Sequence, residues 1–241
     1  MKKILSFFVG VLVAFGFANA ADIRVGLAAN YPPFEFINDQ NKITGFDLDL
    51  LEEISKKAGF TYEIVNMSFD GLIPALKSGK LDAIMSAMSA TDERRKAVDF
   101  TDPYFHTKNV YIKQAKNTNL KSKDDLNGKK VGVQLGTVQE MAVQKIPGVK
   151  ITANSETYSV VMALKSGKID ALCFDDLVGA EYLKKNSDLV AFFNEPDGSE
   201  GFSIAFDKNK QTNLIKKINQ ALKDIKKDGS YDKILEKYGL K

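Results

Sequence analysis

A ten-residue stretch occurs twice in this chain. Ala75-Leu76-Lys77-Ser78-Gly79-Lys80-Leu81-Asp82-Ala83-Ile84 returns as Ala163-Leu164-Lys165-Ser166-Gly167-Lys168-Ile169-Asp170-Ala171-Leu172. Each copy reads as a helix end, a tight turn and a short apolar strand. Glycine after Lys-Ser supplies the left-handed residue that closes a helix. The strands are expected at Leu81–Met85 and Ile169–Phe174. A duplicated helix–turn–strand unit constrains the fold more than any composition does.

A second echo lies upstream of each copy. Ile23–Ala28 and Lys130–Gln134 are β-rich runs that lead into loops at Asn30 and Gly136. Apolar residues at helical spacing follow in Phe46–Ala58 and Val138–Ile146. Strands alternating with helices predict parallel or mixed sheets with helical cover. Two such units predict an α/β protein of two lobes, joined near Phe105–Val110 and again near Glu195–Gly201. Ser203–Phe206 adds a strand, and Thr212–Tyr238 adds two helices broken at Asp228-Gly229-Ser230. Ligands of open α/β sheets bind beyond the C-terminal strand ends. That rule selects four loops, two from each lobe: Ala28–Phe34, Ser86–Arg94, Gln134–Gln139 and Phe174–Asp176.

The first twenty residues read as an export signal. Lys2 and Lys3 precede the apolar run Ile4–Phe17, and Ala18-Asn19-Ala20 has the small-x-small form of a cleavage site. The alternative is an uncleaved anchor, but the run is shorter than the roughly 20 residues of a spanning helix. No cysteine follows the site, which points to a Gram-negative periplasm rather than a tethered lipoprotein. Removing the two lysines lowers the net charge from +3 to +1. No basic stripe for nucleic acid remains. Lysines such as those in Lys223–Lys227 read as a solvated helix face. Cys173 is the single cysteine, in an apolar run, and reads as a buried small hydrophobe rather than a reactive thiol.

The loops carry chemistry that the residues alone leave open. Ser86-Ala87-Met88-Ser89-Ala90-Thr91-Asp92-Glu93-Arg94 offers hydroxyls, backbone N–H groups and an arginine. Thr91 or Ser89 can cap the next helix. Arg94 can clamp a carboxylate through two parallel bonds, or it is one of three surface cations with Arg95 and Lys96. Asp175 and Asp176 offer a partner for an ammonium or a helix cap. Gly136-Thr137-Val138 opens a helix whose N–H groups can hold an anion. Tyr31, Phe34 and Phe69 are pocket walls or simple core. Together these groups complement a zwitterion with a side chain.

Several segments resemble the polar amino-acid-binding proteins of bacterial ABC transporters. They are Tyr31-Pro32-Pro33-Phe34, Gly45-Phe46-Asp47-Leu48-Asp49-Leu50, Phe69-Asp70-Gly71-Leu72-Ile73-Pro74-Ala75-Leu76, Thr91-Asp92-Glu93-Arg94, Asp99-Phe100-Thr101, Gly136-Thr137 and Asp228-Gly229-Ser230-Tyr231. The resemblance covers the whole mature chain. It implies the two-lobed type II periplasmic-binding fold with a ligand cleft between lobes: signal 1–20, first lobe 21–108 and 199–241, second lobe 109–198.

The resemblance also implies roles. Arg94 would hold the α-carboxylate, shared with backbone amides near Ser89 and at Thr137 and Val138. Ser89, the carbonyl of Ser86 or Ala87, and Asp175 would receive the α-ammonium. Tyr31 and Phe69 would sandwich the side chain. Ala28 stands where several relatives carry an acid for a cationic side chain, and Val138 where several carry Thr or Gly. Gln134, Glu140 and Glu200 are the candidate replacements for that acid. Gln134-x-Gly136-Thr137 favours a basic ligand, with glutamine and cystine as alternatives. The implied partners are a free amino acid and the membrane subunits of an importer. The chain is expected to act as a monomer without cofactor or metal. The competing functions are a cyclohexadienyl dehydratase on the same fold and a signalling or adhesin role.

Overall fold

The computed structural model describes residues 22–241; the expected export signal at 1–20 lies outside the described residues. The first lobe opens with β1 (Ile23–Leu27), β2 (Asn30–Tyr31), β3 (Glu35–Ile37), β4 (Ile43–Thr44), α1 (Phe46–Ala58) and β5 (Tyr62–Asn66). It continues through α2 (Phe69–Lys77), β6 (Ala83–Ile84), α3 (Asp92–Arg95) and β7 (Val98–Phe100). The second lobe holds β8 (Lys108–Gln114), β9 (Lys130–Gln134), α4 (Val138–Gln144), β10 (Lys150–Asn154) and α5 (Thr157–Lys165). β11 (Ala171–Asp175), α6 (Asp176–Lys185) and β12 (Leu189–Pro196) complete that lobe. The chain then returns as β13 (Ala205–Asp207), α7 (Thr212–Lys227) and α8 (Ser230–Lys237).

The two main sheets have the same plan. One runs β5-β1-β6-β13-β7 and the other β10-β9-β11-β8-β12. In each, three parallel strands are followed by an antiparallel fourth. The fourth strand of each sheet adjoins a lobe crossing: β8 enters from the first lobe and β13 returns from the second. The repeat lies at the same place in both. Gly79 and Gly167 follow α2 and α5 with an identical φ of 73°, the left-handed turn expected of each. The strands after them are shifted and, in the first copy, shorter than the apolar runs: β6 keeps Ala83–Ile84 and β11 covers Ala171–Asp175.

The helices follow local sequence. α1 starts after Gly45, carries Asp47 and Asp49 in its first turn and Lys56 and Lys57 in its last, and stops at Gly59 with φ 74°. That charge order suits the helix dipole. α7 ends before the Asp228-Gly229-Ser230 break, where Gly229 takes φ 81°. Lys223, Lys226 and Lys227 are exposed while Leu222 and Ile225 are buried. Cys173 is fully buried on β11 and burial pushes its thiol pKa up, so no thiolate nucleophile is available. Among the described residues no helix is long and apolar enough to cross a membrane.

The core positions the cleft from below. Phe34, Phe46, Tyr104, Phe105 and Phe202 form a cluster of mostly edge-to-face rings 5.1–6.3 Å apart. Phe34 therefore belongs to the core and not to a pocket wall. Phe105 and Phe202 pair across the two lobe connections, which ties the crossing segments to each other.

Candidate functional site

Residues from all four strand-end loops meet around one small, nearly closed cavity. Its wall is Ala28, Tyr31, Glu35, Phe69, Ala87, Ser89, Arg94, Gln134, Thr137, Gln139 and Asp175. Two residues expected at the site stand behind this wall. The Ser86 hydroxyl accepts from the Ala28 N–H at 3.0 Å and donates to Glu35 at 2.7 Å. Val138 is a buried apolar residue opening α4. Of the acids and amides considered as replacements at Ala28, only Gln134 reaches the cavity. Glu140 accepts from the Gly136 N–H, and Glu200 pairs with Arg95.

Arg94 separates from its neighbours. Arg95 and Lys96 form ion pairs at the surface, whereas Arg94 is 8% exposed. Thr91 caps α3 by accepting the Arg94 N–H at 3.2 Å, which turns the side chain inward. Its Nη1 donates to the Ser89 carbonyl at 2.7 Å and its Nη2 to the Gly136 carbonyl at 2.9 Å. The guanidinium lies over the Phe69 ring, 5.5 Å from its centroid. Two of five donors go to neutral carbonyls, and no carboxylate among the described residues forms an ion pair with it. Burial lowers its pKa to about 10, opposed by the field of Asp175.

Asp175 is the anion of the same cavity. It ends β11 at the N-cap position of α6, yet its side chain makes no cap bond. It accepts instead from the Tyr31 hydroxyl and from Gln139 Nε2 at 3.1 Å. Asp176 takes the local role, accepting the Leu177 N–H and the Thr107 hydroxyl. Burial raises the Asp175 pKa to about 7, and the Tyr31 bond opposes that rise. Burial also pushes the Tyr31 phenol well up, and the Asp175 charge adds to this.

Glu35 and Gln139 were not anticipated at the cavity. Glu35 is 1% exposed on β3. Burial and the Asp47 charge raise its pKa well above the carboxylate range. Glu35 Oε2 and Asp47 Oδ1 are buried with no hydrogen-bond partner among the described residues, which favours a proton on one of the two carboxyls. Asp47 is the better anion of the pair, because it accepts from the Ala87 N–H and the Tyr104 hydroxyl, each at 2.8 Å. Glu35 accordingly holds the proton and presents a titratable carboxyl to the cavity. The available signal was that Glu35 and Asp47 each directly follow one member of the buried Phe34–Phe46 pair.

The remaining wall is polar and fixed. Gly136 has φ 80° and lies so close to Asp70 that an added Cβ would sit 3.2 Å from its Cα. Thr137 caps α4, accepting the Glu140 N–H at 3.3 Å and donating to the Gln134 carbonyl at 2.7 Å. A buried cation, a buried anion, aromatic faces and a carboxyl able to lose its proton thus line one small enclosure.

Residues 23–241 match the family model described as bacterial extracellular solute-binding proteins, family 3. The chain is 52% identical over 218 residues to a probable histidine-binding protein of Campylobacter jejuni, covering 90% of this chain and 85% of that one. It is 38% identical over 248 residues to a putative ABC transporter arginine-binding protein 2 of Escherichia coli, covering 99% of each. It superposes with a TM-score of 0.85 on an ancestral arginine-binding protein bound to arginine, at 42% identity, covering 90% of this chain and 97% of that one.

Proposed function

The chain belongs to family 3 of the bacterial extracellular solute-binding proteins, and from that premise we propose that it captures a free basic amino acid by lobe closure and delivers it to an ABC importer. The observation that carries this reading is the pairing of two buried charges on one cavity wall. Arg94 is a buried cation held only by carbonyls, and Asp175 is a buried anion held by a phenol and an amide. An amino-acid zwitterion neutralises both at once. Each buried charge gains a partner where the effective dielectric is low.

The α-carboxylate sits against Arg94, with the N–H groups of Ser89, Thr137 and Val138 as further donors. The α-ammonium sits against Asp175, the Ser89 hydroxyl and the carbonyl of Ser86 or Ala87. The side chain lies between the rings of Tyr31 and Phe69. Its distal cation meets Glu35, with Gln134 and Gln139 as amide partners. Glu35 thus takes the place of the acid missing at Ala28. Relatives described as histidine- and arginine-binding support a basic ligand.

The lobes of this reading are residues 21–108 with 199–241, and residues 109–198. Residues 1–20 direct export to the periplasm and are removed. The protein works by binding alone, as a monomer, and the importer's membrane subunits receive the closed form. Calorimetry on the refolded, ligand-stripped mature protein tests the reading against the twenty amino acids and cystine. Binding of L-histidine, L-arginine or L-lysine in preference to the others is the expected result. No binding of any of them at millimolar concentration overturns it.

A further inference from the structure

Asn30 is half-buried on β2 and is absent from the cavity wall, yet it makes four bonds to the other lobe. Its Nδ2 donates to the Ser155 carbonyl at 3.1 Å and to Glu156 Oε2 at 2.9 Å. Its Oδ1 accepts from Gln134 Nε2 at 3.1 Å. Its backbone carbonyl accepts from the Thr157 hydroxyl at 2.6 Å. The partners are well held: Thr157 is fully buried at the start of α5, and Gln134 also donates to the Ser155 carbonyl at 3.1 Å.

We propose that Asn30 is a latch for the closed state, a positioning residue that sets how long the lobes stay shut without touching the captured amino acid. This rests on the capture reading above. The inter-lobe bonds of Tyr31 with Asp175, of Arg94 and of Ser89 involve groups that reading assigns to the ligand, so their strength depends on what is bound, while the Ser155 hydroxyl donates to Asp70 Oδ1 at 3.1 Å beside the Asn30 bonds. The Asn30 bonds use no such group except Gln134 and are available to the closed form with any ligand. A carboxamide is suited to the place because one short side chain both donates twice and accepts. A carboxylate there accepts only and faces Glu156. Affinity for a protein that must close is reduced by the fraction that is not closed. A latch residue therefore scales all affinities together and acts mainly on dissociation.

The test uses the full mature protein with L-arginine and L-histidine as probes. Asn30→Ala is expected to weaken both by the same factor, about ten-fold given three lost side-chain bonds, with the change in the dissociation rate. Asn30→Asp is expected to weaken both further, and adding Glu156→Gln to recover part of that loss. The isosteric pair decides the matter if Asn30→Ala does not fold. Affinities within two-fold of wild type overturn the latch. Loss confined to one probe also overturns it, because that marks a ligand contact. Lack of binding by the wild type counts against capture itself. In that case spin-label distances between lobes still judge the latch, and distributions identical in wild type and Asn30→Asp overturn it.

Discussion

Nη2 of Arg94 in the first lobe donates to the carbonyl of Gly136 in the second at 2.9 Å. The cation proposed to hold a carboxylate therefore also ties the two lobes together. A buried guanidinium bonded only to carbonyls is a cost to the ligand-free protein, because its desolvation is not offset by an anion. Arg94→Met is expected to leave ligand-free thermal stability unchanged or slightly raised. The same change is expected to lower amino-acid affinity by about 100-fold or more, since it removes a bidentate donor and strands the bound carboxylate. Arg94→Lys is expected to recover little, as an ammonium cannot reproduce the planar fork. Calorimetry and thermal melts together check this, and affinity retained in Arg94→Met refutes the clamp.

Asp175 makes the ligand-free protein sensitive to pH in a defined direction. Its native pKa of about 7 stands above the ordinary 3.8. Between those values the native state holds a proton that the unfolded chain has released. This group's contribution to stability is therefore greatest at low pH and is lost as pH rises from about 4 through 7. Binding an ammonium requires the carboxylate, so affinity is expected to rise with pH through the same range, by up to about ten-fold per unit. Melts and titrations at pH 5 and pH 8 measure both. Asp175→Asn should flatten the part of each slope that Asp175 supplies, while lowering affinity at pH 8.

Much of the fold was legible because the repeat is a local signal. Lys-Ser-Gly closes a helix wherever it stands, and the four loops follow from the strand ends. Arg94 was not separable from Arg95 and Lys96 by spacing, since what buries it is the Thr91 cap and the Gly136 carbonyl 42 residues later. The Ser86 hydroxyl, which serves Glu35, was not read from the sequence, where Ser86 was expected to offer its carbonyl. Glu35 itself stayed hidden between two phenylalanines. Its burial depends on α1, which places Asp47 against it, and on Ser86 from a third segment. Contacts that need three separated segments leave no periodicity to read.

Glu35→Gln isolates the side-chain end of the proposed site. The substitution keeps size and hydrogen bonding but removes a carboxyl that can ionise. Affinity for L-arginine is expected to fall about ten-fold or more, as a charged partner is lost. Affinity for L-glutamine, which carries no distal charge, is expected to change by less than three-fold, on the order of half a hydrogen bond. Competition titrations with the two amino acids read the ratio directly. An equal loss for both would mean that Glu35 shapes the wall without recognising charge.

The two glycines of the repeat give a test of whether the copies are physically equivalent. Gly79 and Gly167 share φ 73°, and a Cβ would meet nothing within 4 Å at the first and only Gln114 Nε2 at 3.9 Å at the second. Alanine at either position therefore clashes with nothing, and its cost is the left-handed backbone alone. That cost is about 1 kcal/mol, set by the residue's own conformation and not by its surroundings. Gly79→Ala and Gly167→Ala are expected to lower unfolding stability by the same amount, read as equal shifts in urea midpoint, and to leave amino-acid affinity unchanged. Gly136→Ala is the contrast. It carries the same kind of φ, but its Cβ would press on Asp70 of the other lobe. It is expected to weaken binding as well as folding, because those two residues meet across the lobes.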